Sequence, residues 1–107
     1  MIYMVRTSAL TLVFALYSQS SIAEVSLEYG EYLASECTSC HLLSGKESNI
    51  PSIIDWDPES FIAVLTAYKD KELENKVMQN IATRLGPDEM ASLAQYFATI
   101  KPKEDSE

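Results

Sequence analysis

Cys37-Thr38-Ser39-Cys40-His41 gathers both cysteines and the only histidine of the chain into five residues. Two thiols three positions apart share one helical turn, where each can form a thioether to a vinyl group of a single porphyrin. The imidazole that follows is then placed under the iron as proximal ligand. The spacing C-x-x-C-H therefore predicts one covalently held haem c, bound through Cys37 and Cys40, with His41 on the metal. Other chemistries use the same residue types. A thioredoxin-like dithiol needs a βαβ setting, and no run of this sequence alternates as strands do. A structural zinc needs four ligands and would have to recruit carboxylates. A plain disulfide or two free thiols is the remaining alternative.

Iron held by one imidazole needs a second axial donor, and no other histidine exists to supply it. The thioether of methionine is the natural candidate. Met1 and Met4 lie in an expected leader, which leaves Met78 and Met90. Met90 falls in the first turns of the last expected helix, on its core face. Met78 follows the charged stretch 71–76 and precedes the break at Leu85-Gly86, and is the expected ligand. Met90, or a sixth position left open or otherwise filled, are the alternatives. Methionine ligation raises the reduction potential relative to two nitrogen ligands. It also closes the iron, which suits electron transfer and hinders substrate chemistry.

Haem is attached to such motifs outside the cytoplasm, so an export signal is expected. Residues 1–6 carry one positive charge, residues 9–17 read ALTLVFALY, and Ser21-Ile22-Ala23 is a small-x-small cleavage pattern. The apolar run is far shorter than the ~20 residues that span a bilayer. A signal peptide over 1–23, cleaved after Ala23, leaves a single domain over 24–107 with no membrane span and a periplasmic location. An uncleaved anchor is the alternative.

The chain has 8 Lys+Arg against 16 Asp+Glu, a net charge of −8. Loss of Arg6 with the leader makes it 7 against 16, or −9. Nucleic acid is excluded as a partner at that charge. A basic protein surface is a suitable one, because complementary charge speeds encounter. Plain solubility explains the acidity equally well. A chain this short needs a staple beyond its apolar core, and a tethered haem is one, so the haem-free chain is expected to be poorly folded.

The elements that must hold these groups read as helices. Ser26 is an N-cap for a first helix to Glu36, with Leu27, Gly30, Leu33 and Ala34 on one face. Gly30 in a helix interior costs ~1 kcal/mol, which a close helix crossing would explain. Residues 42–54 form a loop punctuated by Gly45, Ser48, Asn49 and Pro51. Leu42, Leu43, Ile50, Ile53 and Ile54 are too apolar for a solvent loop and are expected to line the haem cavity. Trp56 is expected in the core, or on the haem, where its N–H could reach a propionate. Asp57-Pro58-Glu59 starts a second helix to about residue 70, with Phe61, Val64, Leu65 and Tyr68 at helical spacing. A shorter segment over about 72–81 carries Leu73, Val77 and Ile81. A last helix starts at Pro87, is stopped by Pro102, and presents Met90, Leu93, Ala94, Phe97 and Ile100. It is long enough to cross the first, with Tyr96 or Phe97 meeting Gly30.

This order of helix, CTSCH, proline loop, middle helix, methionine segment and final helix resembles class I cytochrome c over essentially the whole mature chain. The resemblance implies an all-α fold of about four to five helices around one covalent haem. Pro51-Ser52-Ile53, Asp57-Pro58-Glu59-Ser60-Phe61 and Lys76-Val77-Met78-Gln79-Asn80-Ile81-Ala82 resemble the haem subunit of flavocytochrome c sulfide dehydrogenase. That family implies Cys37 and Cys40 as thioether sites and His41 and Met78 as axial ligands. It also implies the backbone near Pro51 as acceptor for the His41 Nδ1–H. An FAD-containing flavoprotein is the implied partner, passing electrons from sulfide to the haem; the downstream acceptor is not specified. Leu42 departs from the glycine that often follows the haem histidine, the loop before Pro51 is shorter, and only one haem motif is present. The expected function is thus a one-electron carrier, the haem subunit of a sulfide-oxidising flavocytochrome c, that is not an enzyme by itself. The rivals are a free shuttle to an oxidase or reductase, and a haem-based ligand sensor or peroxidase-like enzyme.

Overall fold

Among the described residues four helices follow one another: α1 Leu27–Thr38, α2 Pro58–Lys69, α3 Lys76–Thr83 and α4 Pro87–Thr99. They come from a computed structural model that describes residue 2 and residues 25–46 and 49–104. The expected cleavage site after Ala23 lies outside the described residues. Each helix begins where the local chemistry satisfies its free N–H groups. Ser26 Oγ accepts from Tyr29 N at 3.0 Å, Asp57 Oδ2 from Ser60 N at 3.0 Å, and Asn75 Oδ1 from Met78 N at 3.1 Å. At α4 the direction is reversed, and Glu89 Oε1 accepts from Gly86 N at 3.1 Å.

Helix α4 packs on α1 and α2, and α2 packs on α3. The α1–α4 contact is set by Gly30. A Cβ there would stand 2.1 Å from Ser92 O and 2.8 Å from Tyr96 Cβ, so the missing side chain lets the two backbones meet. Ser92 is fully buried at this crossing, and its Oγ accepts from Ser26 N at 3.3 Å. Tyr96 is the aromatic residue that meets Gly30. Phe97 turns into the core, stacked on Phe61 with ring centroids 5.6 Å apart.

Two expectations change. The third helix starts at Lys76, four residues later than its apolar pattern suggests, because residues 70–75 form a turn. Lys71 sits in that turn at φ 60, a left-handed conformation, and Leu73 is 40% exposed. On α1, Leu27 shares the helical period of Gly30 and Ala34, yet it is 52% exposed because α4 covers only the part of the face that Gly30 opens.

Candidate functional site

Helix α1 delivers the cysteine motif at its C-terminal end. Its last turn carries Cys37, and His41 N donates to Cys37 O at 2.8 Å, which continues the turn and places His41 beside the two thiols. His41 is buried, and its Nδ1 lies 2.6 Å from the carbonyl oxygen of Pro51. A proline carbonyl can only accept, so the proton must sit on Nδ1. Neutral His41 then keeps its lone pair on Nε2, the atom a metal would use.

Cys37, Cys40, His41, Pro51, Trp56 and Met78 border one cavity of about 370 Å³. The rest of the wall is largely apolar. Phe61, Val64, Leu65 and Tyr68 line it from α2, Val77 and Ile81 from α3, and Leu93 from α4. The 3.6-residue period of α2 thus turns one face inward, so its sequence pattern carries the cavity wall as well as the core. Within the loop, Ile50 and Ile53 reach the wall and Ile54 enters the core. Leu42 and Leu43 do not: they are 50% and 41% exposed. Trp56 borders the cavity and also meets Phe61 edge-on at 6.2 Å, so both its expected roles share one position. Met90 takes a different place. It is 3% exposed in the core, with Thr66 Oγ1 3.7 Å from its sulfur, and is not among the cavity residues.

Asn49, Asn75 and Glu36 also border the cavity. Sequence reasoning assigns none of the three to the cavity. Asn75 could have been found as the N-cap three residues before Met78, had the helix been started there. Glu36 pairs with Arg84 at 3.5 Å on the surface, between the end of α1 and the end of α3.

Electrostatics distinguish the two thiols by burial. Cys40 is exposed, whereas burial, and secondly the charge of Glu36, push the Cys37 thiol from 9.0 up to about 11. A thiol here is disfavoured as thiolate, while a thioether carries no charge to desolvate. The other chemistries fit less well. The two cysteines are not joined to each other. Among the described residues no strand occurs, and no three His, Cys, Asp or Glu side chains are grouped to hold a metal ion. A flat, apolar, iron-bearing macrocycle fits the donor set: two thiols, one imidazole with a free Nε2, one thioether, and hydrocarbon walls.

Among the described residues the all-α arrangement of four helices matches the class I cytochrome c fold, and the Cys37-x-x-Cys40-His41 spacing matches the attachment motif of a covalent haem c. No family model matches the chain. It is similar to the cytochrome subunit of sulfide dehydrogenase from Chlorobaculum tepidum, with 29% identity over 87 residues, covering 80% of this chain and 79% of that protein.

Proposed function

We propose that this chain is an exported, periplasmic one-electron carrier, and specifically the haem subunit of a sulfide-oxidising flavocytochrome c whose other subunit carries FAD. The observation that carries the reading is the convergence of Cys37, Cys40, His41 and Met78 on one apolar cavity. The sulfide assignment is supported by the similarity to a cytochrome subunit of sulfide dehydrogenase. Bound haem supplies a one-electron couple at its iron. Cys37 and Cys40 tether the macrocycle, so the carrier does not lose its cofactor between turnovers. Pro51 O fixes the tautomer and plane of His41 and strengthens its ring as a donor. Met78 would be the second residue to hold the iron, and a thioether donor there would close the metal to substrates and raise its potential. The apolar walls from α2 and α3 keep water from the metal. A reduced flavin in the partner would hold two electrons, and this chain would take them singly, giving each to a downstream acceptor before receiving the next. The signal peptide of residues 1–23 belongs to the same reading. Among the described residues no helix is long and apolar enough to cross a membrane.

The test is to express the chain with the flavoprotein gene adjacent to its own, in a host that attaches haem, and to add sulfide. The haem should be reduced by sulfide only when the flavoprotein is present, and the two chains should purify together. Separate purification with no sulfide-dependent reduction would favour the free shuttle and leave the haem site standing.

A further inference from the structure

Helix α3 has eight residues, too few to be stable alone, and among the helices it packs on α2 only. Its holding contacts therefore matter to whatever Met78 does. Two side-chain bonds fasten its start. Asn75 Oδ1 accepts from Met78 N at 3.1 Å, and Gln79 Nε2 donates to Leu73 O at 2.9 Å. The second bond ties α3 back to the turn that Lys71 makes at φ 60. The first acts on Met78 itself. Asn75 is extended, at φ −171 and ψ 112, and its side chain folds over the first turn to reach that one N–H. Met78 is half-buried, while Val77 beside it is 64% exposed. The backbone just before Met78 thus has little packing to hold it, and the cap supplies the local constraint on that side.

We infer that Asn75 is the positioning residue of Met78: its side-chain amide clasps the backbone N–H of the residue whose thioether shares the cavity with His41. The inference rests on the reading of Met78 as iron ligand. Without the clasp the first turn of α3 frays, and the thioether spends more time away from the metal. A competing ligand then gains. Asn75 also borders the cavity, so the two routes by which it could act are separated by Met78 itself: a positioning role matters only when Met78 is there to be released.

The experiment uses the ferric haem-bearing protein titrated with imidazole, following the shift of the main haem absorption band in every variant and, where Met78 is present, the loss of the weak far-red band of sulfur-ligated iron. Losing an N-cap bond corresponds to roughly a fivefold change in an equilibrium constant. Asn75→Ala should therefore lower the half-displacing imidazole concentration about fivefold, and Asn75→Ser, which restores an acceptor, should return it. In a Met78→Ala background, Asn75→Ala should leave imidazole binding unchanged, because coupled residues show a non-additive cycle. An unchanged titration for Asn75→Ala beside intact Met78, or an equal shift in both backgrounds, overturns the inference and makes Asn75 an ordinary cap. If Met78→Ala keeps the far-red band, the ligand reading itself fails, and this inference with it. Should Asn75→Ala not accumulate with haem, Asn75→Gly keeps a competent helix start without the side-chain bond. It should show a Met78-dependent shift in the same direction but smaller, about one and a half- to twofold, and no shift in the Met78→Ala background.

Discussion

At the scale of single residues, the site places a group that must not ionise where ionising is hard. Cys37 lies against apolar side chains and beside Glu36, and its thiol is pushed from 9.0 up to about 11. The consequence for the haem-free chain has a definite sign. Below pH 9 the thiol is protonated in both folded and unfolded states, and contributes nothing to the pH dependence. Between pH 9 and 11 the unfolded chain releases that proton and the folded chain does not. The folded form binds more protons there, so stability falls as pH rises. The haem-free chain is expected to lose helix over that window, read by circular dichroism. Cys37→Ser should remove the part of the loss that comes from this thiol. In the haem-bearing protein the same substitution test has no thiol to report, because a thioether does not titrate. Equal alkaline loss with and without Cys37 would show that its thiol is solvated.

At the scale of elements, one glycine sets the geometry of two helices. The 2.1 Å that would separate a Cβ at Gly30 from Ser92 O is closer than any side chain can tolerate, and the obstacle is backbone. Gly30→Ala gains about 1 kcal/mol of intrinsic helix preference. The helices must nevertheless move apart, at a cost of roughly 1–3 kcal/mol or more. The expected outcome is a lower thermal and denaturant midpoint for the haem-bearing protein, with Gly30→Leu lower still. An unchanged midpoint would mean that α1 and α4 do not cross there. The crossing was legible in sequence because a glycine stood alone on an apolar helical face, and α4 followed from its Pro87 start and regular spacing. So was the haem motif, because its chemistry is local to five residues. What stayed hidden depends on contacts between distant segments. Leu42, Leu43 and Leu27 look like interior residues by type, yet only the packed chain decides which apolar side chains are covered. The start of α3 was misplaced for the same reason. Glu72 and Leu73 suit a helix, but their N–H groups turn back to Ala67 O, and Asn75 then caps a new one. Ser92 carries no sequence signal of burial, since its place depends on the gap that Gly30 leaves.

At the scale of the whole molecule, the described helices form an incomplete ring around the cavity. α1 packs on α4, α4 on α2, and α2 on α3, but α3 does not pack on α1. The ring is bridged at its gap by Arg84 and Glu36, whose side chains are 63% and 59% exposed. An exposed pair of this kind contributes about 0–1 kcal/mol and is screened by salt. The two ends of the ring carry Cys37 and Cys40 on one side and Met78 on the other, and all three border the cavity. A haem bonded to both ends would replace a weak surface contact with a covalent and coordinative link. It would also fill about 370 Å³ that is otherwise left to water against apolar walls. For a short chain whose margin is only ~5–15 kcal/mol at best, that link decides whether the fold persists. The haem-free chain should therefore melt at a lower temperature and over a broader range than the haem-bearing protein. The loss should be ordered along the ring. In amide hydrogen exchange, protection should disappear first over residues 76–83, then over α2, and last at the α1–α4 crossing, where Gly30 brings two backbones together. Protection of α3 equal to that of α1 and α4 without haem would show that α2 alone holds it. The closing of the ring would then be no part of what the haem does for the fold.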